Sequence, residues 1–188
     1  MFKKLLITSA LALTLGTGAF AESYKIDTEG AHASINFRVS HLGYSFVVGR
    51  FDNFTGSFEF DATNPEAGSV SVEISTESVN TNHGKRDNHV RSADFLDAAN
   101  NQNATFVSTG IKKTGDNTAV ITGDFTLSGT TKSVDLDTTF VGEGKDPWGG
   151  YRAGFTATTT INLDDYGMGG VIGPADVVLD IVAEGLRQ

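Results

Sequence analysis

The chain has 188 residues, 39% of them hydrophobic, with 14 basic residues against 23 acidic ones, no cysteine, and 13 Phe beside a single Trp. The acidic balance excludes general nucleic-acid binding, which depends on neutralising phosphates. The missing cysteine excludes a disulfide framework, thiol chemistry and a lipid-anchored cysteine after a cleaved leader.

Met1–Ala21 has the parts of an export signal: Lys3 and Lys4, an apolar run from Leu5 to about Leu15, and small residues at Ala19 and Ala21 before a cut ahead of Glu22. A membrane anchor needs roughly 20 apolar residues, and Gly16 and Gly18 interrupt this run too early. Residues 22–188 then form one mature domain of 167 residues, in which 12 basic against 23 acidic residues give a net charge of −11. A leader of bacterial style points to a periplasm, with no integral membrane segment left in the mature chain.

After the cut the chain reads as short alternating strands. Tyr24–Asp27 is a brief one. In Ser34–Leu42, Ile35, Phe37, Val39 and His41 share a face opposite Asn36, Arg38 and Ser40, the period of two of a half-buried strand. Val47–Phe51 and Phe54–Asp61 follow, with Phe54, Phe58 and Phe60 in phase. Asn64–Gly68 is a turn by composition, and Val70, Val72 and Ile74 alternate after it. Strands resume at Thr105–Ile111, Ala119–Leu127, Lys132–Val141, Tyr151–Leu163 and Asp176–Glu184. Asp165–Gly170 reads as a flexible loop, and Gly142–Gly150 as a glycine-rich one carrying Trp148. Eight or nine strands at hairpin spacing, without βαβ periodicity, predict an all-β antiparallel sandwich or barrel. A barrel of about eight strands has an interior either filled by side chains or open to one small ligand.

The exception is the stretch from Thr81 to about Ala104, which is polar, does not alternate, and has helix-compatible spacing near its start. Asp87 and Arg91 stand four apart, acid first, as in a surface ion pair worth about 0.3–0.5 kcal/mol. Lys85, Arg86 and His89 read as a cationic patch able to receive an anionic head over a barrel opening. His83 and His89, six apart, fall on opposite helical faces, so a helical metal pair is not expected. His41 reads as a core-edge histidine. No nucleophile elbow or Ser-x-x-Lys occurs, and the glycine-rich pairs lack a following helix, so no enzyme is expected.

Several phrases in order carry a resemblance. Tyr24–Asp27 with His32-x-Ser34-Ile35-x-Phe37-x-Val39-x-His41, Val48-Gly49-x-Phe51-x-x-Phe54-x-Gly56, Ser78-Val79-x-Thr81-Asn82 with Arg86-Asp87-x-His89-Val90-Arg91-Ser92-x-Asp94-Phe95-Leu96-Asp97, Thr105-Phe106-x-Ser108 and Gly123-x-Phe125-Thr126-Leu127-x-Gly129-x-Thr131-Lys132 together resemble the YceI-like family. The resemblance implies a lipocalin-like barrel with one helical insertion. It also implies an exported protein that binds polyisoprenoids or other long amphiphilic lipids, with a role in isoprenoid or quinone handling and stress response. Two departures stand out: Asn103-Ala104 where relatives often have Pro, and Leu163 where they often have Arg before Asp165-Tyr166-Gly167.

The leading expectation is therefore a periplasmic carrier of a polyisoprenoid, isoprenoid quinone, or fatty acid or amide. The chain of that lipid would lie along Ile35, Phe37, Val39, Phe58, Phe60, Val72, Ile74, Phe106, Phe125 and Phe155. Its head would meet Arg86, His89 and Arg91 on a helical lid. No metal and no cofactor beyond such a ligand is expected; a homodimer is an open possibility. The alternatives are a secreted stress or interaction protein with a packed barrel and, further off, an unrecognised hydrolase using His41 or His89.

Overall fold

The computed structural model describes residues 21–172 and 175–188, without the side chains of residues 171 and 172. The leader expected over Met1–Ala21 lies outside the described residues except for Ala21. The strands are β1 (Glu22–Ile26), β2 (Ser34–His41), β3 (Ser45–Phe51), β4 (Phe54–Phe60), β5 (Ser69–Ser75), β6 (Val79–Asn80), β7 (Asn103–Lys113), β8 (Thr118–Leu127), β9 (Thr130–Lys145), β10 (Tyr151–Asn162) and β11 (Asp176–Arg187). Helix α1 spans Gly84–Arg91 and α2 spans Gly169–Ile172, with 3-10 turns at Pro65–Ala67, Thr76–Ser78 and Leu163–Tyr166. No helix among the described residues is long and apolar enough to cross a membrane.

Eleven segments make eight staves. β1 and β2 both pair antiparallel with β11, at Tyr24↔Arg187 and Ile35↔Ile181, so they are one long strand interrupted by residues 27–33. β3 pairs with β2 and β4 with β1, while β5 pairs with β4 and β6 with β3. Each pair of segments is thus one stave with a kink. From β5 onward every stave pairs with the next in sequence, and β11 returns to β1. The result is a closed, up-and-down antiparallel barrel. Closure removes the free edges an open sheet would expose.

Local chemistry explains the joints. Ser128 and Gly129, both at positive φ, form the two-residue turn between Leu127 and Thr130, whose backbone twist matches that of the paired strands. β7 carries an irregularity between Ser108 and Gly110, and β10 one between Gly154 and Phe155 opposite β9, the bends that curve long strands around a barrel.

The staves run between two unlike ends. At one end lie the β2–β3 hairpin, α1 with its following loop, the Ser128-Gly129 turn, and the segment between β10 and β11. This end is the floor. Leu96 and Ala98 from the loop after α1, with Leu163, Tyr166 and Met168 from the segment after β10, are buried, and all but Ala98 share one cluster with Val79, Ala104, Leu127, Ile161 and Val177. The Asp165–Gly170 stretch, expected as a flexible loop, is instead a 3-10 turn and the start of α2. Asn162 accepts from Asp164 N, Gly167 adopts a left-handed conformation as its cap, and the two large side chains it carries face inward. At the other end lie the turn Pro65–Ala67, the β7–β8 hairpin and the β9–β10 hairpin, whose Trp148 is exposed.

That second end is fastened from outside. Arg152 on β10 donates from Nη1 to Asp27 Oδ2 and Glu184 Oε1, each 2.6 Å, and from Nε to Asp146 Oδ2 at 2.7 Å. One guanidinium therefore ties residues 27–33, the β9–β10 hairpin and β11 together. The Arg152 hydrogen bond, followed by those from Gly30 and His32, holds the Asp27 carboxyl far below the usual carboxylate range.

Candidate functional site

Inside the barrel lies a cavity of about 350 Å³, within the range of small-molecule sites. Its wall comes from every stave because each contributes the inward half of its alternation: Ile26 and Ile35, Phe54 and Phe58, Val72 and Ile74, Phe106, Ile121 and Phe125, Val134 and Leu136, Phe155 and Ala157, Leu179 and Ile181. Four rings form one side. Phe155 meets Phe58 edge-on at 5.3 Å and Phe60 at 5.0 Å, and Phe140 lies 5.1 Å from Phe60. Tyr24 stacks on Phe58 at 4.9 Å from the adjoining stave. Every charged lining residue sits at one end: Glu59, Lys113 and Asp116, with Asn117, Thr118, Ala62 and Pro65 beside them. These residues come from the end of β4 and its connection to β5, and from the β7–β8 hairpin, so the mouth is the end opposite α1. Glu66 Oε1 accepts from Lys113 N at 3.0 Å and holds the turn against the rim.

Of the side chains expected to line a lumen, Ile35, Phe58, Phe60, Val72, Ile74, Phe106, Phe125 and Phe155 surround this cavity. Phe37 and Val39 do not. Both are half-buried against the floor cluster, and the Phe37 ring lies across Gly49 of the neighbouring strand, where a Cβ would clash with Cζ. Period two gives the face of a residue but not its height in the barrel. The wall also contains Ile26, Ile121, Val134, Leu136, Leu179 and Ile181.

The cationic stretch sits at the floor and none of its charged groups lines the cavity, which corrects the expectation of a lid that meets a polar head. α1 is too short to be stable alone and buries only Asp87. Lys85 is exposed, while Arg86 and Arg91 are spent on the loop around the helix. Arg86 donates to Thr81 Oγ1 and to the Thr81 carbonyl, each at 2.7 Å. Arg91 donates to the carbonyls of Glu77 and Val79 at 3.2 Å and to Asn88 Oδ1 at 2.7 Å. His89 pairs with Asp94 at 2.9 Å and stands edge-on to Phe95. Asp87, expected to pair with Arg91, instead accepts from Thr81 N at 2.8 Å and Thr81 Oγ1 at 2.5 Å. Burial pushes the Asp87 carboxyl up, but the Thr81 hydrogen bonds outweigh that and leave it below the ordinary range. His83 caps α1 by accepting from Arg86 N. His41 is exposed at the end of β2, not at a core edge.

Asp27, His32 and Glu184 bring three potential metal-ligating atoms within 4.8 Å of one another. Arg152 already engages the same Asp27 and Glu184 oxygens, so the cluster fits a guanidinium clamp. Two histidines pair with carboxylates among the described residues, His32 with Asp27 and Glu184 and His89 with Asp94. Both imidazoles are about half exposed, and neither histidine lines the cavity.

A closed eight-stave antiparallel barrel with an apolar interior open at one end is a lipocalin-like binding fold. The profile of the YceI-like domain matches residues 24–184, and the chain belongs to that family. It is 53% identical to a UPF0312 protein of Shewanella sp. (strain ANA-3) over 190 residues, 99% of this chain and 100% of the relative. It is also 53% identical to a UPF0312 protein of Ectopseudomonas mendocina, covering 98% and 96%. Among solved structures it is similar to Campylobacter jejuni YCEI protein, with a TM-score of 0.72 at 28% identity over 79% of this chain and 90% of that one. The fold also matches Burkholderia cenocepacia BcnA, with a TM-score of 0.76 at 20% identity over 85% and 98%. A polyisoprenoid binding domain from Saccharophagus degradans has a TM-score of 0.66 at 16% identity over 89% and 99%.

Proposed function

We propose that this protein is an exported, periplasmic binding protein that holds the hydrocarbon part of a long amphiphilic lipid, a polyisoprenoid, an isoprenoid quinone or a fatty acid or amide, inside its barrel. The observation that carries the reading is the cavity of about 350 Å³, walled by Phe, Ile, Val and Leu and reached past a polar rim. Each methylene moved from water into such a space contributes about 0.8 kcal/mol, so a chain of several isoprene units binds without specific polar contacts. The polyisoprenoid-binding neighbour supports the choice of ligand class, and the Lys3–Ala21 leader pattern supports export. A packed barrel acting through its surface fits less well, since its interior would be filled.

Native mass spectrometry of the protein isolated from its own cells tests the reading. The expected result is a mature chain beginning at Glu22 with a non-covalent lipid adduct that organic extraction removes. A ligand-free chain that also takes up no prenol, prenyl quinone or fatty amide would overturn it.

A further inference from the structure

The barrel wall is not zipped along its whole height. β9 and β10 pair from Tyr151↔Lys145 to Thr158↔Asp137 and no further. Thr130–Leu136 and Thr159–Asn162 therefore run past each other without a shared ladder, although each still pairs on its other side, with β8 and β11. The seam lies next to the 3-10 turn Leu163–Tyr166, which leaves β10 at this height.

A hollow of about 260 Å³ occupies the seam. Its lining comes from both faces of the wall: Ser133, Asp135 and Thr160 point outward in the strand alternation, while Val134, Thr159 and Ile161 point inward. Val134 and Thr159 line the main cavity as well, so the hollow and the lumen share these two wall side chains. Tyr166 is part of its lining. The residue is 3% exposed, its ring meets Phe125 edge-on at 5.7 Å, and its hydroxyl is buried with no hydrogen-bond partner among the described residues. A buried hydroxyl without a partner is costly and calls for an acceptor. Burial pushes the phenol up to about 12, so it is a neutral donor in any physiological medium. Around it stand two carboxylates, Asp135 and Asp165, and one ammonium, Lys132, which makes no ion pair among the described residues. The surroundings are net negative and disfavour an anionic head.

We propose that this seam is a lateral head-group site. The hydroxyl or carbonyl oxygen at the end of a long-chain lipid accepts a hydrogen bond from Tyr166 there, while the chain lies in the lumen. The assignment rests on the lumen reading above and deepens it, because it selects neutral-headed lipids such as prenols and prenyl quinones over prenyl phosphates.

Delipidated mature protein titrated with geranylgeraniol, geranylgeranyl diphosphate and the parent hydrocarbon of the same chain supplies the test. Wild type is expected to bind the alcohol about tenfold more tightly than the hydrocarbon, the worth of one hydrogen bond to a buried donor, and more tightly than the diphosphate. Tyr166→Phe keeps the ring on Phe125 and is expected to erase the preference for the alcohol over the hydrocarbon without weakening the hydrocarbon. Preference for the alcohol that survives Tyr166→Phe, or that disappears instead in Lys113→Ala at the mouth, would overturn the assignment while leaving the lumen reading intact. Binding of none of the three would overturn both. Should Tyr166→Phe not fold, the double variant Asp135→Asn with Asp165→Asn asks the same question by charge. It is expected to improve the diphosphate several-fold relative to the alcohol, and no change would count against the seam.

Discussion

The two ends of the barrel are built on opposite plans. The floor is sealed by two chain segments whose Leu96, Leu163, Tyr166 and Met168 are buried in one cluster; Arg86 and Arg91 donate to backbone and hydroxyl oxygens there, and Asp87 accepts from the Thr81 N–H. The mouth has a thin rim held by a turn and two hairpins, with its strongest charge network, around Arg152, on the outer surface. A dense cluster of cations thus marks where the chain is wired shut, and the way in lies at the end whose rim mixes both signs, with Glu59, Lys113 and Asp116.

The largest effect should come from breaking the floor. Asp87→Ala removes the acceptor of two hydrogen bonds and leaves the Thr81 N–H buried without a partner, a loss of about 2–4 kcal/mol by chemical denaturation. The folded fraction should still bind a lipid chain with wild-type affinity, because Asp87 is remote from the cavity wall. A matching loss of affinity in the folded protein would mean that the two ends are coupled. At the other end the contrast reverses. Ala157→Phe fills lumen space between Phe155 and Thr159 and should weaken chain binding tenfold or more, while changing stability by less than about 1.5 kcal/mol, since the ring enters open space. Unchanged affinity would place the chain elsewhere.

Much of this division was legible in the sequence and one part was misleading. Alternation in β4 and β5 put Phe58 and Val72 in phase with their inward-facing neighbours, because period two is a property of the extended backbone itself. The closed end was also legible as the one long excursion without alternation. What residue types along a line cannot convey is which end of a stave a loop joins, so Arg86, His89 and Arg91 read as groups facing a ligand. Their partners are carbonyls of Thr81, Glu77 and Val79 and a carboxylate at Asp94, and a carbonyl acceptor leaves no trace in a sequence. Tyr166 was hidden for another reason: it lies among glycines and aspartates in a stretch whose composition suggests mobility, although Gly167 supplies the left-handed cap that turns the chain and buries it.

Acid separates the ends less sharply than mutation. Asp27 at the mouth and Asp87 at the floor both have carboxyls lowered in the folded state. A depressed carboxylate contributes stability that is fully present above its unfolded value, about 3.9, and is lost as pH falls through the folded value. The thermal midpoint should therefore be flat with respect to these groups from pH 7 to about 5 and fall below about pH 4. Arg152→Met should lower the neutral-pH midpoint by about 5 °C, since the guanidinium is still one-fifth exposed. It should also flatten the acid limb, because Asp27 then loses the partner that depresses it. A variant whose acid limb keeps its wild-type steepness would show that the clamp does not set the mouth's response to pH.

The smallest expected effect discriminates most finely between the two ends. If cations near α1 met a lipid head, Arg86→Gln and Arg91→Gln would each weaken binding of an amphiphile, most for an anionic one, with a salt dependence reporting the lost charge. In the structure both guanidinia are satisfied by oxygens of the floor, and neither is among the groups that surround the cavity or the seam. Each substitution should therefore cost stability through lost carbonyl contacts, about 1 kcal/mol per hydrogen bond, and leave the affinity for geranylgeraniol or its diphosphate within about twofold of wild type. An affinity loss that grows at low salt for the diphosphate and is absent for the alcohol would restore a head-group role to these cations. The predicted pattern, with stability lost and binding kept, is what a closed floor and a distant mouth require.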